Sequence, residues 1–267
     1  MIKALLKLLV AVFFIWALAD PFLSSTNSDK TDQPLQQKKQ PEQEKPLHNV
    51  KLPDFSSYKD VKEKKRAFFN FIKPHVKAEN KKILTQRAQL DIAKLMLDHE
   101  QPLTKKQHRN LTKILTQYGL PQTISSYNLA LALNYVDIIP KELVLIQAAK
   151  ESAWGTSRFA RIGLNFFGQW CYSKGCGMIP KRRNAGDVHE VAAFKSVSAA
   201  VHAYFKNINT HDAYKALRAI RADLRLQQAP IDAIKLTQGL KSYSERGEPY
   251  INELNKMINQ NRVYFND

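Results

Sequence analysis

Residues 140–160 read PKELVLIQAAKESAWGTSRFA. Pro140 at a first-turn position, then a run of apolar and small residues broken by Gln147, predicts a helix reaching about Ala153. Residues three and four apart share a helix face, so Val144, Ala148 and Glu151 line up, with Gln147 beside them. Glu151 then stands at the C-terminal end of an apolar helix. The negative end of the helix dipole and the apolar neighbours both disfavour its ionised form, moving its pKa toward that of a working acid near neutral pH. Ser152, Ala153 and Gly155 are small enough to leave a groove open. Trp154 and the later Phe166, Phe167 and Trp170 offer flat faces on which a sugar ring can stack. Taken alone, the pattern fits either a solvated charge at a helix end or a catalytic acid in a cleft.

Working outward, the second half of the chain is mostly helical by pattern. SSYNLALALNYVDII starts from a serine cap, and helices are expected again at SVSAAVHAYFKNI, HDAYKALRAIRAD, PIDAIKLTQGL and EPYINELNKMINQ. Between Gly175 and Phe194 the helical period disappears. A turn at NAGD, 184–187, followed by VHEVAAF predicts a small β-hairpin there. Upstream, 57–119 reads as helices. One carries the stripe Phe68, Phe69 and Ile72, with Pro74 threatening its end. A second carries Ile83, Leu84, Leu90, Ala93 and Leu97, and a third closes at Gly119 and Pro121.

The N-terminal residues MIKALLKLLVAVFFIWALAD combine two early lysines with an apolar run from Leu8 to Ala19, and Ala17-Leu18-Ala19 has the pattern of a cleavage site. That is the layout of a secretory signal peptide, with a retained N-terminal membrane anchor as the competing reading. Ser24 to Asp54 holds no aromatic residue and reads as a disordered tether. The expected organisation is signal or anchor over 1–19, linker over 20–55, a helical N-terminal region over 56–125, and the main domain over 126–267.

The net charge is +17. Its surplus lies in the folded part: 57–125 holds fifteen Lys and Arg against six acids, and 126–267 nineteen against twelve. An exported protein of this charge is drawn to anionic partners, whether wall polymer, lipid head groups or nucleic acid. No nucleic-acid reading motif organises the charge, so no nucleic-acid partner is assigned. Cys171 and Cys176 lack further metal ligands nearby, and a local disulfide shaping a glycine-containing loop is expected. His189, His202 and His211 lack the spacing of helical zinc ligands, and neither metal nor cofactor is expected.

Four stretches occur in order: AAKESAWGTSRFA at 148–160, NFFGQW at 165–170, AAFKSVSAAVHAYFKNI at 192–208 and GLKSYSERGEPYINELNKMI at 239–258. Together they resemble the family-73 glycoside hydrolases, which are bacterial cell-wall β-N-acetylglucosaminidases, and within them the Bax-like branch. The family pattern is an apolar helix ending in Glu-Ser-x-Trp-Gly, followed by Asn-x-Phe-Gly, here Glu151 to Gly155 and Asn165 to Gly168. The resemblance implies a mainly α, lysozyme-like fold with a small β-lobe walling one side of a glycan cleft.

Carried over by position, Glu151 is the expected catalytic acid and Tyr243 the tyrosine that faces the cleft near the reaction centre. Trp154, Asn165, Phe167, Trp170 and Tyr250 are the expected substrate-binding residues. The family places a second acid in its β-lobe, where Asp187 and Glu190 are the candidates. Glu190, in the expected strand, is favoured, with a substrate-assisted route through Glu151 alone left open. The expectation is then a monomeric hydrolase of the cell envelope or periplasm, acting on the bond between N-acetylglucosamine and N-acetylmuramic acid in peptidoglycan strands. The rival readings are a lytic transglycosylase and a non-catalytic glycan-binding envelope protein.

Overall fold

The computed structural model describes residues 44–180 and 189–266. The expected signal or anchor, most of the linker, the NAGD turn and Asp187 lie outside them. Among the described residues no helix is long and apolar enough to cross a membrane.

Residues 44–55, expected to be the end of the linker, are packed instead. The Leu47 amide donates to the Ile162 carbonyl at 2.8 Å, Glu44 pairs with Arg158 at 2.7 Å, and Phe55 is buried against Phe68 and Phe71. The apolar residues Val50, Leu52 and Phe55 give this stretch the surface that a purely polar tether lacks.

Helix α1 runs from Val61 to Asp98 as one element with Pro74 inside it. The sequence predicts a break there, because proline removes one helical hydrogen bond at a cost of about 3 kcal/mol. Burial outweighs it: Phe68, Phe69, Ile72 and Val76 precede or adjoin the proline, Ile83, Leu90 and Ala93 follow it, and all seven sit in one core. Each large apolar side chain so buried contributes roughly 1.5–3 kcal/mol. Helix α2, Lys105–Gln117, opens with a capping box between Thr104 and Gln107.

Helix α3, Ser126–Tyr135, is capped by Ser125, and α4 is Lys141–Glu151. Every residue from Leu143 to Ala149 in α4 is buried. A helix buried all round belongs at the centre of a bundle. Accordingly α4 lies among α1, α8 (Ala233–Thr237) and α9 (Glu248–Gln260). The remaining helices are α5 (Arg158–Gly163), α6 (Val197–Thr210) and α7 (Lys215–Leu226).

Asp137 ties several of these together. Arg225 holds its carboxylate with two nitrogens, at 2.7 and 3.0 Å, and Arg87 approaches to 3.3 Å. Burial alone would push this carboxyl up, yet the arginines hold it below the usual carboxylate range. Arg221, fully buried alongside and pushed down to about 10 by burial, also donates to the carbonyls of Asn134, Asp137 and Ile138.

The expected hairpin is instead a three-stranded antiparallel sheet of order β1-β3-β2: Trp170–Cys171, Gly177–Met178 and Glu190–Ala192. Glu190–Ala192, inside the stretch expected as a strand, is its centre, pairing Cys171 with Glu190 on one side and Gly177 with Ala192 on the other. The outer strands are two residues long, too short to show a periodicity in sequence.

Candidate active site

The helix-ending turn after Glu151 decides what faces the cleft. Ser152 closes α4: its hydroxyl donates to the Ala148 carbonyl at 2.6 Å and accepts the Gly155 amide at 2.8 Å. Ala153, Trp154 and Gly155 then all take left-handed backbone, φ 50°, 59° and 78°. Such conformations are unfavourable for non-glycine residues, and they reverse the chain within one turn. The reversal carries Trp154 away from Glu151 and onto α1, where it meets Phe68 and Phe69 edge-on at 5.8 and 5.3 Å, with Lys65 over its ring. Trp154, half-buried, therefore packs against the core and does not line the cleft, contrary to the expectation that it binds substrate. Phe166 is fully buried in the core.

Glu151 lines a cleft of about 670 Å³. One wall is Phe167 to Trp170 and Tyr172; the other includes Asn207, His211, Tyr214 and Tyr243. Among the described residues Glu151 is the sole carboxylate on this lining. Gly168, with φ 67°, passes so close that a Cβ there would lie 3.9 Å from Glu151 Oε2. Glu151 is half-buried, and loss of hydration pushes its carboxyl above the ordinary range. A hydrogen bond from Tyr250 and the charge of Lys150 oppose that rise. The direction agrees with the sequence reading.

Behind Glu151 lies a set of buried tyrosines. The Tyr250 hydroxyl donates to Glu151 Oε1 at 3.0 Å and accepts Gln147 Nε2 at 3.0 Å, while Tyr204 donates to Gln147 Oε1. Tyr250, expected to bind substrate, is thus seated behind the acid. Tyr243 reaches the cleft as expected. Its ring stacks on that of Tyr250, centroids 5.7 Å apart, and its hydroxyl donates to the Phe167 carbonyl at 2.8 Å. Burial pushes all three phenols upward, so they remain protonated donors at neutral pH.

Trp170, 48% exposed, and Tyr172, 77% exposed, stand two residues apart on the sheet side of the cleft. Tyr172, just beyond the two-residue strand β1, escaped the sequence reading, because so short a strand leaves no pattern to place it. Phe167 also lines the cleft, its ring stacked on Tyr204 at 4.3 Å. Asn165 does not. Its amide nitrogen donates to the Gln169 and Ala192 carbonyls, and its oxygen accepts the Phe167 and Gln169 amides. Two donors and two lone pairs are then filled, which leaves nothing for substrate and makes Asn165 the tie between the NFFGQW loop and the sheet.

Glu190, expected as second catalytic acid, is 5% exposed and absent from the cleft lining. Its two oxygens accept the amides of Gly175 and Gly177 at 2.9 and 2.8 Å. The strand position was foreseen, but the carboxylate is turned to the loop closed by the Cys171–Cys176 disulfide, which the structure contains. Cys171, Cys176 and Glu190 cluster closely, yet sulfurs bonded to each other are not thiolate ligands. The histidines are dispersed: His189 meets the Trp170 ring, His202 pairs with Glu79 at 2.7 Å, and His211 accepts the Ala213 amide.

Comparison with known proteins adds to this geometry. The glucosaminidase family, described as mannosyl-glycoprotein endo-β-N-acetylglucosaminidase, matches residues 128–263. Protein bax of Escherichia coli (strain K12) is 33% identical over 213 residues, covering 79% of this chain and 74% of that protein. No solved structure matches.

Proposed function

This chain belongs to the glucosaminidase family, in its Bax-like branch, and from that premise we propose that it hydrolyses peptidoglycan between N-acetylglucosamine and N-acetylmuramic acid, with Glu151 as the acid. The observation that carries the reading is that, among the described residues, one carboxylate, raised in pKa by burial, stands in a cleft flanked by exposed aromatic rings. Burial moves the Glu151 carboxyl in the direction a general acid needs, and the aromatic side chains suit stacking on sugar rings.

In this mechanism Glu151 gives its proton to the glycosidic oxygen as the bond from that oxygen to C1 breaks. The carbonyl oxygen of the same sugar's acetamido group bonds to C1 and takes up the positive charge. Water then adds at C1, its proton passes to the Glu151 carboxylate, and the acetamido group is restored. The route needs no second protein carboxylate, which suits a Glu190 bound to loop amides. Trp170 and Tyr172 hold the strand, Phe167 backs the cleft wall with its ring buried on Tyr204, and Tyr243 borders the reacting sugar. The basic surface suits an anionic wall polymer, and an N-terminal signal or tether would place the domain in the envelope.

The test is mass spectrometry of peptidoglycan digested by the wild type and by Glu151→Gln. Muropeptides with N-acetylglucosamine at the new reducing end, absent with Glu151→Gln, are expected. An anhydro-sugar end would establish a lytic transglycosylase instead. Digestion undiminished in Glu151→Gln would remove Glu151 from the mechanism.

A further inference from the structure

The buried layer behind Glu151 holds an uncharged side chain with a defined task. We infer that Gln147 is a positioning residue: by accepting from Tyr204 and donating to Tyr250, it leaves the Tyr250 hydroxyl one proton to give and Glu151 as the place to give it. The inference rests on the reading of Glu151 as the acid.

The geometry is a chain of four groups. Tyr204 donates to Gln147 Oε1, Gln147 Nε2 donates to the Tyr250 hydroxyl at 3.0 Å, and that hydroxyl donates to Glu151 Oε1 at 3.0 Å. Gln147, Tyr204 and Tyr250 are all buried, so water does not compete for these positions. A phenol carries one proton and accepts through its oxygen. Once the amide nitrogen occupies the oxygen, the proton points at the carboxylate. With the amide reversed, Tyr250 would donate to Gln147 and withdraw its proton from Glu151. The amide's direction therefore decides whether the acid is hydrogen-bonded in its ionised form.

This matters because Glu151 must both release and recover a proton. Burial favours its protonated form, and the Tyr250 bond favours the ionised one. Gln147 keeps the second influence in place without adding charge. The other charged groups facing Glu151 are Lys150 and Glu253, which pair with each other at 2.7 Å. Tyr204 and Tyr243 stand nearby as protonated phenols. A glutamate at position 147 would have added a second buried carboxylate beside the first.

The test reads the Glu151 carboxyl directly, by NMR titration of full-length protein labelled with 13C-glutamate. The signal is assigned by its loss in Glu151→Gln. Tyr250→Phe should raise the midpoint by roughly one pH unit, the effect of losing one hydrogen bond to a carboxylate. Gln147→Met frees the Tyr250 hydroxyl to rotate, so it should raise the midpoint in the same direction by less than Tyr250→Phe, and Gln147→Met with Tyr250→Phe should raise it no further than Tyr250→Phe alone. Tyr204→Phe, one step further from the acid, should give a smaller rise and serves where Gln147→Met fails to fold. The inference is overturned if Gln147→Met or Tyr204→Phe leaves the midpoint unchanged, or if the shifts of Gln147→Met and Tyr250→Phe simply add. Because the titration needs no turnover, an inactive protein showing the coupled shifts would sink the proposed hydrolysis and leave the relay standing. Digestion through Glu151 without the coupling would do the reverse.

Discussion

Gly155→Ala probes the turn that follows the acid. Gly155 has φ 78°, and a Cβ there would lie 2.8 Å from Phe55 Cε2 and closer still to Cδ2. Phe55 has little room to retreat, since it is buried with Phe68 and Phe71 edge-on at 5.4 and 5.9 Å. The left-handed backbone costs alanine about 1–2 kcal/mol, and forcing a methyl into a packed core about 1–3 more. A sum of about 2–5 kcal/mol corresponds to a fall in Tm of roughly 4–20 °C for a domain of this size. The assay is calorimetric melting of Gly155→Ala in two backgrounds, wild type and Phe55→Ala. Removing the ring should abolish the packing part and leave only the backbone cost of about 1–2 kcal/mol. Groups in contact are expected to couple in this way. An equal cost in both backgrounds would refute the seat of Phe55 beneath Gly155, and with it the anchoring of residues 44–55 at this turn.

Three more outcomes follow from the site. The carboxyl of Glu151 is raised in the folded state, so the stability it contributes is present at low pH and lost as pH rises through the raised value; Glu151→Gln should flatten that part of a melting profile taken against pH. Trp154→Ala should destabilise by about 1–3 kcal/mol, since its half-buried ring packs edge-on against Phe68 and Phe69, whereas Trp170→Ala should leave Tm nearly unchanged and weaken sedimentation with purified cell walls. Glu190→Ala, like reduction of Cys171–Cys176, should loosen the sheet side of the cleft, raising KM for soluble glycan while far-UV circular dichroism stays helical; an intact KM with a collapsed kcat would return Glu190 to a catalytic role.

Where local rules and burial agree, the sequence is a good guide. Ser125 and Ser196 cap the helices their neighbours predict, and α4 ends at the acid. Where they conflict, distant partners decide. Pro74 reads as a break because the buried face on both sides of it exists only after folding. Trp154 reads as a cleft residue because extending the helical pattern past Glu151 ignores three left-handed residues that reverse the chain. Alternation along the strand placed Glu190 in the sheet, but its direction depends on the Gly175 and Gly177 amides, which a fifteen-residue and a thirteen-residue separation conceal. Asn165 belongs to a motif, and a motif says nothing of whether its amide is already saturated.

The bond between Tyr250 and Glu151 joins residues 99 positions apart, and Tyr243 enters the same layer from late in the chain. Synthesis proceeds from the N-terminus, so Glu151 is made well before the helix that completes its surroundings. Until α9 docks, the acid lacks both its buried donor and part of the cover that raises its pKa. The surroundings of Glu151 are thus a property the chain acquires last, when its C-terminal helix closes, and an incomplete copy carries the carboxylate without the phenol that holds it.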